Sequence, residues 1–145
     1  MRIALRKLNN FIYLLILSSV LSFFSDTSAS ANNYKDFNRN VKNYNKNLLI
    51  FDKSGNEIAK YVVAVANNKE KVSYGLMNLP KLDNEKGMLF LFKKDAIINM
   101  WMKNTMIPLD MIFINNDKIV SIYSGAKPYD LSVISSVFEV DKVLE

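Results

Sequence analysis

The chain has 145 residues, half of them hydrophobic, a formal net charge of +5, and neither cysteine nor histidine. That length suits one domain with a core of its own, without disulfides or a structural metal. The two missing residue types exclude a thiol nucleophile, a histidine base and the usual zinc ligands, so any catalysis would run on carboxylates, lysine or hydroxyls.

In chain order, the first feature is a leader. "MRIALRKLNN" carries Arg2, Arg6 and Lys7, "FIYLLILSSVLSFF" is uncharged, and Ala29-Ser30-Ala31 follows. Basic, apolar and small-x-small is the layout of a secretory signal peptide over residues 1–31. The apolar run falls short of the roughly 20 residues of a membrane span, so an uncleaved anchor is the weaker alternative. Cleavage would start the mature chain at Asn32. It would remove Arg2, Arg6, Lys7 and Asp26 and leave 16 basic against 13 acidic residues, a net of +3. That mild, scattered excess is no nucleic-acid patch. The implied location is exported, periplasmic or extracellular, with no stable membrane span after cleavage.

Residues 32–47, "NNYKDFNRNVKNYNKN", are asparagine-rich and without period, which predicts a flexible lead-in. A folded domain is expected over 48–145. "NLLIF" and "IAKYVVAVA" around Ser54-Gly55-Asn56 predict a β-hairpin. "NNKEKVSYGLM" predicts a short helix capped by Asn67 or Asn68 and ended near Gly75. "GMLFLF" predicts a central strand, apolar on both faces. "INMWMK" and "LDMIFIN" predict strands joined through "NTMIP". "NDK" is a tight turn leading to "IVSIYS", and residues 131–145 have room for one or two more strands. The fold class is mainly β, a β-rich α+β arrangement: a compact antiparallel sheet or small barrel with one short helix.

The stretch from Ile98 to Asp117 concentrates the chemistry. Strand alternation puts Asn99, Trp101 and Lys103 on one face and Met100 and Met102 on the other, so the methionine face is the expected core. Asp110 shares its face with Ile112 and Ile114. A lone charge in such a row is costly, which predicts a partner in the Lys103–Thr105 turn, either a backbone N–H or Lys103 itself. One reading makes Asp110 a staple of that turn and Trp101 a core residue. The other makes Trp101, Lys103, Asn104 and Thr105 the rim of a shallow ligand-binding cleft with Asp110 at its base. No cofactor, metal set or catalytic residue is indicated.

"YGLMNLPKL", "KGMLFLF", "MWMKNTMIPLDMIFI" and the closing "VLE" resemble, in that order, the bacterial family DUF192. The resemblance covers residues 47–145. It rests on Gly75, Leu76, Met77, Gly87, Met88, Phe90, Trp101, Met102, Lys103, Asn104, Thr105, Pro108, Leu109 and Asp110. It implies a compact, mostly β domain, often exported, with no established reaction. Two arginines usual in the family are replaced here by Val72 and Leu79. The family's glycine-rich continuation after "VLE" is also missing, which predicts a sheet short of its C-terminal strand or strands and left with an unpaired edge. The functional expectation is a small exported binding module for an unknown small molecule or envelope component. The alternatives are a structural or degenerate envelope-associated protein without a ligand, and a carboxylate- or lysine-dependent hydrolase.

Overall fold

A computed structural model describes the backbone of residues 13–17 and the whole of residues 44–145. The remainder of the leader and most of the lead-in lie outside the described residues. The elements are β1 (Tyr13–Leu17), β2 (Lys46–Phe51), β3 (Glu57–Ala66), α1 (Lys69–Tyr74), β4 (Lys86–Ala96), β5 (Asn99–Met100), β6 (Leu109–Asn115), β7 (Lys118–Ala126), β8 (Ile134–Ser135) and β9 (Val140–Leu144). The domain is mainly β, as its sequence predicts.

Local chemistry sets the turns. Between β2 and β3, Asp52 Oδ1 accepts from the N–H groups of Ser54 (2.8 Å) and Asn56 (2.9 Å), and Gly55 takes φ 84°. An aspartate that bonds the backbone two residues on is a turn former. Between β6 and β7, Asn116 and Asp117 both have positive φ, 46° and 60°, the backbone of a tight hairpin turn. Asn68 Oδ1 accepts from Lys71 N–H at 2.9 Å and caps α1; Gly75 ends it at φ 51°.

Seven strands form one sheet in the order β1-β2-β3-β4-β9-β6-β7, closed into a barrel where Tyr13 meets Lys118. Most neighbours are antiparallel. The exception is β3 beside β4, with Val62–Ala66 parallel to Lys86–Phe90. Parallel neighbours need a crossover, and α1 with the loop behind it provides it. The two remaining strands, β5 and β8, pair on their own. The strand expected over "INMWMK" is therefore only two residues long.

Residues 131–145 are not left at an edge. β9 lies between β4 and β6: Val143 is opposite Phe90 on one side and Phe113 on the other, and Leu144 opposite Leu89 and Ile112. The one or two further strands expected in this segment are present as β8 and β9. Val143 and Leu144 are buried on opposite faces, and a central position satisfies both rows of backbone groups.

The two faces carry separate cores. Leu76, Met88, Phe90, Met102, Met111, Phe113 and Val143 pack on one. Leu48, Ile50, Val63, Leu89, Ile112, Ile114 and Leu144 pack on the other. β4, β6 and β9 feed both cores, which is why "GMLFLF" is apolar on both faces. Gly87 permits the closeness of β4 and β9: a Cβ there would lie 2.6 Å from the Glu145 carbonyl oxygen.

Candidate functional site

After β5 the chain makes the Trp101–Thr105 turn. Trp101 is 51% exposed and Met102 fully buried, the sidedness that alternation implies. Thr105 N–H donates to Met102 O at 3.1 Å, and Asn104 holds φ 54°, a conformation asparagine tolerates well. The turn is bolted at three points: Asn78 N–H donates to Asn104 O (2.8 Å), Tyr129 N–H to Thr105 O (3.0 Å) and Met102 N–H to Asp130 O (3.0 Å). Buried Thr105 donates its hydroxyl to Lys103 O at 3.3 Å. Lys103 Nζ sits 5.6 Å from the centre of the Trp101 ring, within cation–π range. Trp101 is thus presented to solvent by a rigid backbone.

Asp110 falls elsewhere. Its Oδ1 accepts from Gly125 N–H of β7 at 2.7 Å, where the sequence pointed to the Lys103–Thr105 turn. The cause is a register shift in the β6–β7 ladder between Leu109 and Met111. The irregularity, with Gly125 at φ 72°, offers a backbone donor to the side chain opposite. Asp110→Ala should cost about 0.5–1.5 kcal/mol in chemical denaturation by removing that hydrogen bond, and Asp110→Asn less, because the amide oxygen can still accept.

The single cleft expected from the sequence resolves into two cavities. One, of about 170 Å³, is lined by Asp110, Tyr61, Lys81, Lys86, Ile112 and Leu144 among others. There burial pushes the Tyr61 hydroxyl pKa up, and the Asp110 charge adds to it. Lys86 is held by Asp83 at 2.7 Å. The other cavity, of about 200 Å³, is lined by Trp101 and Thr105 with Tyr74, Phe90, Phe92 and Glu145. Asp110 is therefore not at the base of the Trp101 cavity. Lys103 rides on the tryptophan ring, and Asn104 serves the turn.

Glu145 also lines the Trp101 cavity. Its backbone exchanges two hydrogen bonds with Met88, donating to Met88 O (3.0 Å) and accepting from Met88 N–H (2.8 Å). This extends the β4–β9 ladder and aims the side chain towards Gly75, where a Cβ would lie 3.9 Å from Glu145 Oε2 and 3.2 Å from Phe90 Cζ. Burial raises its carboxyl from an ordinary 4.5 to about 8. The group is packed by protein yet still partly reached by solvent through the cavity. Sequence reasoning singled out "VLE" but gave Glu145 no role. Nothing local says that a glutamate about seventy residues from α1 folds back to the turn that ends it, since that placement depends on β9 pairing with β4.

The DUF192 family model, described as "Uncharacterized ACR", matches residues 50–145. The chain belongs to the DUF192 family. A crystal structure of a protein of unknown function from Novosphingobium aromaticivorans DSM 12444 is similar at 32% identity and TM-score 0.60, over 65% of this chain and 66% of that one. Another, of a "putative transcription regulator" from Sinorhizobium meliloti 1021, is similar at 34% identity and TM-score 0.64, over 68% of this chain and 76% of that one. No curated protein matches. The residues that line the Trp101 cavity of this DUF192 domain all lie within the span that the family model covers. Among the described residues, no helix is long and apolar enough to cross a membrane, and no group of three acidic side chains is placed to hold a metal ion.

Proposed function

We propose that this DUF192 domain is a small-molecule binding module and that its site is the Trp101 cavity. The observation that carries the reading is Glu145: a carboxyl with a strongly raised pKa, in a concave site between aromatic walls and open to solvent. Such groups gather at functional sites, because a polar group held in apolar surroundings needs a reason to stay there. The rigid turn supports the same reading, since a site on fixed backbone loses little entropy on binding. Trp101 is the one tryptophan of the chain, so its fluorescence reports on the cavity directly. A metabolite panel should contain a compound that both shifts Trp101 emission and raises the melting temperature, with the thermal shift lost in Trp101→Ala. A panel without effect on either would favour a structural protein with no ligand.

Export is part of the proposal. The basic, apolar and small-x-small leader supports a periplasmic or extracellular location, and N-terminal sequencing of the cellular protein should begin at or near Asn32. Processing there would take β1 with it and leave β2 and β7 as the sheet's two edges.

A further inference from the structure

The Trp101 cavity is unusual for a basic protein. No lysine or arginine is among its lining residues, whereas the neighbouring cavity has Lys81 and Lys86. Three part-exposed aromatic residues, Tyr74, Phe92 and Trp101, share its wall with Glu145, Phe90 is buried behind them, and Ser73, Asn99 and Thr105 make part of the lining polar. The Trp101 ring already attracts a cation, Lys103 Nζ at 5.6 Å. Phe90 Cζ and Glu145 Oε2 both come within 4 Å of the position that a Cβ on Gly75 would take. Ring and carboxyl therefore meet at one spot.

We propose that the cavity is a cage for a small alkylated ammonium ion, with Tyr74, Phe92 and Trp101 around its methyl groups and the Glu145 carboxylate as counter-charge. Aromatic rings attract such cations through their quadrupole, and a partly desolvated site strengthens the attraction. An alkylated ammonium has few or no N–H groups to satisfy, which suits the aromatic part of the wall. An inorganic anion fits poorly, since its only charged neighbour in the lining would be an acid. The proposal rests on reading this cavity as a binding site.

The chemistry carries a proton linkage. The titratable or charged groups around Glu145 are few: Tyr74 from α1, Lys103 across the Trp101 ring, and Tyr61, Lys81, Lys86 and Asp110 through the second cavity. With its pKa near 8 when the site is empty, Glu145 is mostly protonated at neutral pH. A bound cation favours the carboxylate, so binding expels a proton. Affinity should rise about tenfold for each pH unit on the acid side of that value and level off above it.

Calorimetric titration of the full chain with choline tests this, beside its neutral carbon isostere 3,3-dimethylbutan-1-ol. The expected result is choline binding that releases a proton, strengthens with pH, and is weakened about tenfold or more both in Glu145→Gln and on going to the isostere. Circular dichroism of Glu145→Gln should match the parent, because the amide replaces a neutral acid. Equal binding of the isostere would overturn the cation cage and leave the cavity as an apolar site. Silence of choline while other molecules shift Trp101 emission would overturn the ligand class alone. Silence of both would overturn the cage together with the binding reading.

Discussion

Met102→Ala lowers the stability of the domain by about 2–5 kcal/mol, while Trp101→Ala, one residue earlier, lowers it by less than about 1 kcal/mol. The larger side chain has the smaller effect because it is the one outside. Met102 is fully buried against Phe90, Met111 and Phe113 in the core of the α1 face, so truncation removes buried methylenes and leaves a void. Trp101 stands half in solvent on a turn whose hydrogen bonds are made by backbone, so its removal leaves that scaffold intact. Urea midpoints of the two variants measure the contrast. A loss of about 3–5 kcal/mol for Trp101→Ala would mean that the tryptophan is core and that its cavity is a packing defect.

Stability falls as pH rises from about 4.5 to about 8, by roughly 2–4 kcal/mol, and Glu145→Gln removes most of that fall. The sign follows from the direction of the shift. Burial raises the folded carboxyl to about 8, above its ordinary 4.5. The folded state thus holds a proton that the unfolded state has already lost. The stabilisation is fully present below the unfolded value and disappears as pH passes through the folded one. Solvent reaching the cavity keeps the effect below the full shift. Thermal unfolding at a series of pH values, parent beside variant, gives the two curves. Parallel curves would show that Glu145 is solvated as an ordinary carboxylate.

Much of this fold was legible because its elements are set by local chemistry. Asp52 with Gly55 announces the first hairpin, Asn68 with Gly75 frames α1, and "NDK" turns between two apolar runs. The sidedness of Trp101 and Met102 followed from alternation alone. What sequence could not supply was long-range pairing. The parallel match of β3 with β4 leaves no mark in either strand, since a strand buried on both faces reads the same in either sense. The partner of Asp110 depended on a ladder irregularity fifteen residues away, at Gly125. The nearer turn was the reasonable choice, and the register moved the donor. Glu145 is the same lesson at greater distance. Its chemistry comes from Gly75 and Phe90, both brought to it by strand order.

The strand order also bears on how the molecule assembles. β4 and β6 never bond to each other; β9 stands between them. The sheet therefore cannot be laid down strand by strand as a ribosome delivers it. The gap between β4 and β6 stays open until Val140–Leu144 arrives from the far end of the described chain, and pairings of such sequence separation form slowly. Until then the apolar faces of β4 and β6 are open to chaperones.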